Sequence, residues 1–439
     1  MTTDPRKSTS SPLDRSRRTD PQITPQSRAI VCCLFRPRFP GHSGGEIRDF
    51  HLIRRLLAIC NIELFALFDV PAHDQTDLLC SKLSAAYDPS DLKAQANPRL
   101  GATPPKFQGV RYHSEAVAMM THASREVLWA LDTRLRESPP DYLFVTSQIN
   151  PAGLLLERCH ESTRWIFASY DVESVRVGRL ARGRGPRGWL RRVLEQRRAA
   201  RYESDSLAKF DGVIAVSELD RERFIEKYRL DPRRVAALPN GVDTEHFDFR
   251  ARMPGGNPQI VYTGSFTYEP NREAAWRLIR EIMPRVRRHH PGACLWIVGQ
   301  EPGKELLNAS DGRSTVVTGL VADVRPYLAR ASAVCVPLSA GSGTKLKMLE
   351  AMSAGAPVVA TSIAIEGLDV ADGEHLLVRD SNDQIAQAIH QMIDDPQRAR
   401  SIARAARRQM ETHYSWDRTL AGLDSWLTSI TTMPAAGRQ

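Results

Sequence analysis

Short apolar runs rich in Val and Ile, each followed by a stretch with helical spacing, recur along this 439-residue chain, and then the whole pattern starts again. RAIVCCLF (28–35), IELFALF (62–68), DYLFVTS (141–147), RWIFASYD (164–171) and DGVIAVS (211–217) form the first series. After the turn LPNGVD (238–243) and the Pro/Gly-rich ARMPGGNP, a second series begins at QIVYTGSF (259–266). It continues through a helix over 271–290, CLWIVG (294–299), STVVTG (314–319), a helix over 322–332, AVCVPL (333–338), a helix over 344–354 and PVVAT (357–361). Strands alternating with helices pair in parallel and are covered by helices on both faces. The expected fold is therefore α/β, with two doubly wound Rossmann-like domains facing a cleft, and ligands bind beyond the carboxyl ends of such strands.

The expected divisions are a disordered tail over 1–28, an N-terminal Rossmann-like domain over 29–240 and a C-terminal Rossmann-like domain over 241–414. A C-terminal helix over 415–430 is expected to pack back toward the first domain. The tail is polar and rich in Pro, Ser, Thr and Arg, without the apolar core of a signal peptide, and no run of 18 apolar residues occurs. A cytoplasmic protein, soluble or peripheral at the inner face of a membrane, is the expectation. Seven cysteines without a CxxC pair fit reduced core thiols better than disulfides or zinc. A net charge of +9 favours an anionic partner without choosing which. No nucleic-acid-binding module is visible, so nucleic acid is not an expected partner.

The stretch SAGSGTKLKMLEAMSAGAPVVAT (339–361) carries the most chemistry. As a helix over 343–354 it places Gly343, Lys347, Glu350 and Ala354 on one stripe, with Met348, Leu349 and Met352 on another face. Gly341, Ser342 and Gly343 precede it, so free N–H groups and the positive end of the helix face whatever lies before them. Backbone amides and a lysine suit a diphosphate, and a carboxylate suits the two hydroxyls of a ribose. The competing reading is a surface pair Lys347–Glu350 at i, i+3, worth a few tenths of a kcal/mol.

GSGTKLKMLEAMSAGAPVVAT, followed by EGL and DGEHLLV, resembles the nucleotide-sugar segment of the retaining family-four glycosyltransferases (glycosyltransferase group 1), which have the two-domain GT-B fold. PGHSGGEIRDFHLIRRL resembles that family's N-terminal Gly-Gly loop. AVSELDRE and LPNGVDTEHF resemble the end of its first domain, and VYTGSFTYEPN and LWIVGQEP the opening strands of its second. The ordered resemblance covers about residues 30 to 425. It implies a hexosyltransferase-like enzyme of polysaccharide or cell-envelope biosynthesis, with a nucleotide-sugar donor, an unidentified acceptor and retention of configuration. No cofactor is implied beyond the donor, and no metal, since an Asp-x-Asp cluster is missing.

Carried onto this chain, the resemblance makes Glu350 the second glutamate of the E-x7-E motif, which holds the donor ribose. The first glutamate falls on Ser342. Main-chain amides of Gly341 to Thr344 would then bind sugar or phosphate, with Lys345 or Lys347 as the phosphate cation. Lys347 is the expected catalytic cation. The family's Arg and Lys after the first strand of the second domain are not evident around Gly264 and Ser265, which remain expected donor contacts. Gly44 and Gly45 let backbone approach a phosphate or acceptor, or simply make a tight turn. Asp171, at the carboxyl end of a strand, is the second catalytic candidate, for donor sugar or acceptor; its rival role is the N-cap of the next helix. Glu173 and Arg176 are weaker candidates.

Residues 176–201 hold ten arginines against one glutamate, interleaved with Trp189, Leu190, Val193 and Leu194. They read either as a surface that meets anionic lipid or as a solvated basic helix. The replacement of the family glutamate by Ser342 also leaves open a non-catalytic GT-B scaffold or sugar-nucleotide-binding protein.

Overall fold

The computed structural model of the chain describes residues 26–35, 43–68, 85–86, 122–147, 149–180, 185–249 and 256–436. The tail to residue 25, Cys80 and part of the loop before Gly44 lie outside them.

The first series folds as one parallel sheet of seven strands. These are β1 (Arg28–Phe35), β2 (Asn61–Phe68), β3 (Ala85–Ala86), β4 (Tyr142–Thr146), β5 (Arg164–Ala168), β6 (Gly212–Ala215) and β7 (Val235–Ala237), in the order β3-β2-β1-β4-β5-β6-β7. The second series folds as a parallel sheet of six. β8 (Gln259–Thr263), β9 (Cys294–Val298), β10 (Thr315–Gly319), β11 (Ala333–Val336), β12 (Val358–Ala360) and β13 (Leu377–Val378) lie in the order β10-β9-β8-β11-β12-β13. Each sheet reverses its winding beside its first strand, and the crevice at such a switch point is where doubly wound folds bind ligands. The chain is α/β with two doubly wound Rossmann-like units, the GT-B architecture.

Five helices of the chain shape the cleft and its surroundings: α1 (Gly44–Leu56), α2 (Glu173–Leu180), α3 (Gly185–Leu207), α4 (Leu346–Ser353) and, at the C-terminus, α5 (Leu423–Thr432). Ser43 caps α1 by accepting from the Glu46 amide. Arg48, Asp49, His51, Leu52, Ile53 and Leu56 are the buried residues of α1, so two charged side chains share its inward face with apolar ones.

The expected helix over 271–290 begins at Glu269, with Pro270 in its first turn, and opens into a π-turn over Leu278–Ile282. Pro284, just beyond, has no N–H to continue the regular ladder. A helix over Pro396–His413 precedes the C-terminal segment and ends where the Val242 amide bonds to the Tyr414 carbonyl, which ties the crossing to the inter-unit linker. A short turn Trp416–Thr419 follows, and then α5.

From there the chain returns to the first sheet. Trp416, Leu420, Leu423, Leu427 and Ile430 bury themselves with Leu52, Ile53, Leu56 and the β1, β2 and β4 side chains. Trp416 stacks on His51 with ring centroids 4.3 Å apart. A second cluster fills the opposite face of that sheet, and a third forms the core of the second unit. Cys32, Cys33, Cys60 and Cys335 are free thiols, all buried.

Candidate active site

The stretch that the sequence marks as a helix from residue 343 becomes helical only at Leu346. Gly341 and Gly343 have φ values of +128° and +65°, left-handed conformations that glycine adopts without steric cost and that cannot enter a right-handed helix. Gly343 and Ala354 therefore leave the stripe, and only Lys347 and Glu350 keep it. Residues 341–345 form a curled loop leading from β11 into α4, whose apolar face of Met348, Leu349 and Met352 is buried.

This loop is held from both units. Arg179 of α2 donates to the Gly341 carbonyl at 2.8 Å. Ser342 Oγ donates to Asp171 Oδ2 at 2.9 Å, across the cleft. A Cβ on Gly343 would lie 2.7 Å from the Tyr170 carbonyl, and one on Gly44 would make ordinary contact with Leu346. Asn240, from the linker, donates to Thr344 Oγ1 at 2.7 Å. Glu366 closes the same face, accepting from both Arg179 and Arg223.

Both lysines of the motif line the cleft. Lys345 Nζ turns back to the Gly343 carbonyl at 2.7 Å. Lys347 Nζ donates to Asn271 Oδ1 at 2.8 Å and to the Tyr262 hydroxyl at 3.2 Å, and lies 4.5 Å over the Tyr262 ring. The ammonium occupies the space a side chain at Gly264 would need. Neighbouring Ser265 bonds its hydroxyl to Thr267, and its carbonyl accepts from Asn271. Lys347 thus brings a cation to the loop after β8, which has none of its own at Gly264 or Ser265.

Although the lysines and Glu350 keep some solvent access along the cleft, enclosure dominates their charge states. It moves Lys347 down to about 7 and Lys345 down to about 8. It moves Glu350 up to about 7, with Lys347 opposing. Glu350 is set one helical turn beyond Lys347, and no hydrogen bond to its carboxylate is recorded among the described residues. For Glu366, burial works to raise the pKa, but the hydrogen bonds from Arg179 and Arg223 prevail and bring it to about 2. A nearby anion favours the charged form of a lysine and would oppose this lowering.

Asp171 is buried, and burial raises its pKa despite the nearby Arg176. Its Oδ1 is enclosed without a hydrogen-bond partner. Asp171 does not cap α2: the amides of Glu173 and Ser174 are taken by Glu203 of α3 at 2.7 and 2.9 Å. Glu173 and Arg176 bond to each other, with Arg176 Nε 2.7 Å from Glu173 Oε2. Gly45 gives way to the ring of Tyr170, which a Cβ would approach to 2.7 Å. The structure thus gathers Gly44, Gly45, Asp171, Gly264, Ser265, Gly341 to Lys345, Lys347 and Glu350 around one cleft.

Sequence reasoning passed over Arg48, Asp49, Tyr170, Asn240, Tyr262 and Asn271. A signal for the first two existed. Arg48 and Asp49 fall at i, i+4 and i, i+3 spacing from Leu52, so two charges lie on the same stripe as core leucines. Among the described residues no group of three or more metal-ligating side chains is placed to hold an ion.

Two doubly wound parallel sheets, with a curled glycine loop and two enclosed lysines where they meet, define the class by its architecture, GT-B. Comparison with known proteins gives the family. The family model described as Glycosyl transferases group 1 matches residues 257–395, and that of Glycosyltransferase Family 4 matches residues 100–246. Each half of the chain thus matches a glycosyltransferase model. The chain is 28% identical over 257 residues to a glycogen synthase of Mycobacterium tuberculosis, spanning 56% of this chain and 61% of that protein's length. It is 31% identical over 191 residues to a phosphatidyl-myo-inositol mannosyltransferase of the same organism, spanning 41% and 49%. The Anabaena protein HepE, solved in complex with UDP, superposes with a TM-score of 0.61 at 14% identity, covering 92% of this chain and all of its own (100%).

Proposed function

We propose that this chain transfers a sugar from a nucleotide-sugar donor to an acceptor with retention of configuration. The acceptor class we favour is a lipid-linked molecule or a polysaccharide precursor. The observation that carries this reading is the pairing of buried Lys345 and Lys347 with the left-handed loop 341–344, facing Asp171 across the cleft. In this reading the loop amides and Lys347 receive the diphosphate, where negative charge grows as the glycosidic bond breaks. Preorganised cations and dipoles at such a point supply the largest share of catalysis. The free oxygen of Asp171 accepts a hydroxyl of the donor sugar or of the acceptor. Glu350 receives the ribose hydroxyls, and Gly44 and Gly45 leave backbone room on the acceptor side. No protein nucleophile is required for departure through an ion-pair-like transition state.

The UDP bound by HepE and the lipid named for the mannosyltransferase relative support this choice of donor and acceptor class. We further propose that α3 rests on an anionic membrane at the cytoplasmic face. Trp189, Leu190 and Leu194 are exposed on it, among exposed Arg187, Arg191, Arg192 and Arg197. No helix among the described residues is long and apolar enough to cross a membrane.

The test is nucleotide release from a panel including UDP-glucose and GDP-mannose, with a crude lipid extract supplying acceptors. Release dependent on the extract supports the transferase. Binding without release supports instead the scaffold reading that Ser342 invites, and neither binding nor release refutes both.

A further inference from the structure

We propose that Asp49 and Arg48, adjacent residues of α1, are positioning residues that hold the 341–344 loop in its binding shape from the opposite side of the cleft. This deepens the reading of the donor site above and rests on it. Both side chains are buried, at 2% exposure each, where a helix that served packing alone would carry apolar residues. Burying a charge is costly unless its partners are placed for it. Here the partners lead to the loop by two separate routes.

The first route starts at Asp49 Oδ2, which accepts from the Tyr170 hydroxyl at 2.6 Å and from Thr146 Oγ1 at 2.7 Å. The Tyr170 ring is thereby pinned over Gly45, where any side chain would displace it. Pinning that ring sets the backbone of residues 170 and 171. The Tyr170 carbonyl then abuts Gly343, and Asp171 receives Ser342. The second route starts at Arg48, which donates to Asn240 Oδ1 at 2.9 Å and to the Leu238 carbonyl at 3.0 Å. Oriented in this way, Asn240 turns its amide to Thr344. Neighbouring residues of one helix therefore end on consecutive residues of the loop. The contacts with Ser342, Gly343 and Thr344 all cross between units, so the loop is complete only when the cleft is closed.

Hydrogen exchange tests this without relying on turnover. In Asp49→Ala, amides of 341–346 are expected to exchange about tenfold faster while those of β8 and β4 keep wild-type rates. Asp49→Asn retains a carbonyl acceptor for both hydroxyls and is expected to restore protection. Unchanged loop exchange in Asp49→Ala overturns the proposal. Faster exchange throughout the first unit makes Asp49 a structural brace only and overturns it equally. If Asp49→Ala does not fold, Asn240→Ala and Thr146→Val carry the same comparison. In the nucleotide-release assay, Asp49→Ala should raise KM for the donor more than it lowers kcat. A wild-type protein that releases no nucleotide refutes the transferase reading, while the exchange result still decides whether α1 sets the loop.

Discussion

Glu350 and Asp49 are two carboxyl groups raised toward neutrality by burial, and they lead to different expectations. Glu350 has no hydrogen-bond partner among the described residues and lies one helical turn beyond Lys347, so under the proposed function its loss should be felt in binding. Glu350→Ala is expected to weaken nucleoside-diphosphate affinity at least about tenfold, or roughly 1.4 kcal/mol, by titration calorimetry with UDP and GDP. Unchanged affinity for both removes it from the site. Asp49 is enclosed, and its pKa rises from 3.8 to about 7. Between those values the folded protein holds a proton that the unfolded chain has released. The stability this group contributes is therefore full below about pH 4 and lost as pH rises through about 7. The unfolding midpoint of the wild type should fall relative to that of Asp49→Asn over this range, and parallel profiles would refute the burial argument. Glu350 is singled out in the sequence because its motif is local. Asp49 is not, because nothing near it in the chain announces the tyrosine that accepts it as a partner.

Among the elements, the loop before α4 and the C-terminal helix show how far periodicity reaches. The repeated glycines of GSG read as a helix start, but the start of α4 moved to Leu346, because Gly341 and Gly343 are left-handed to let the loop pass under Tyr170. Gly343→Ala meets two obstacles at once: a left-handed backbone, costing about 1–2 kcal/mol, and a Cβ 2.7 Å from the Tyr170 carbonyl. It should raise the donor KM about tenfold and lower the thermal midpoint by only a few degrees, the share of the backbone strain, since the collision with Tyr170 exists only in the closed cleft. A large drop in midpoint with unchanged KM would contradict this. The other element, α5, buries Leu423, Leu427 and Ile430 against the first sheet. Leu427 is 1% exposed there. Leu427→Ala should cost about 3 kcal/mol in urea unfolding, and a cost below about 1 kcal/mol would mean that α5 is not docked.

For the molecule as a whole, the two units meet through polar contacts at the cleft. Arg179, Arg223 and Glu366 form one such clasp, and Asn240–Thr344 and Asp171–Ser342 form two more. Small polar contacts of this kind are compatible with opening and closing, as expected where a ligand must enter between units. On the outer surface, α3 turns Trp189, Leu190 and Leu194 to solvent beside a row of arginines, an arrangement suited to an anionic bilayer. Flotation with vesicles containing anionic phosphatidylglycerol should recover the wild type, and the double variant Trp189→Glu, Leu190→Glu should lose at least half of that recovery. Equal recovery with neutral vesicles would sink the membrane reading.

By itself the sequence determined the two parallel sheets, the glycine loop with its lysines, and the family, because strand and helix periods and glycine placement are short-range properties of neighbouring residues. The tertiary structure alone decided which residues meet in the cleft. Tyr170 reaches Asp49 across 121 positions, and Arg179 reaches Glu366 across 187. Whether a charged residue on a helix is solvated or buried depends on a partner that only the closed fold supplies. For that reason the spacing of Arg48 and Asp49 from Leu52 marks only their stripe, while their partners Asn240, Thr146 and Tyr170 are set by the structure alone.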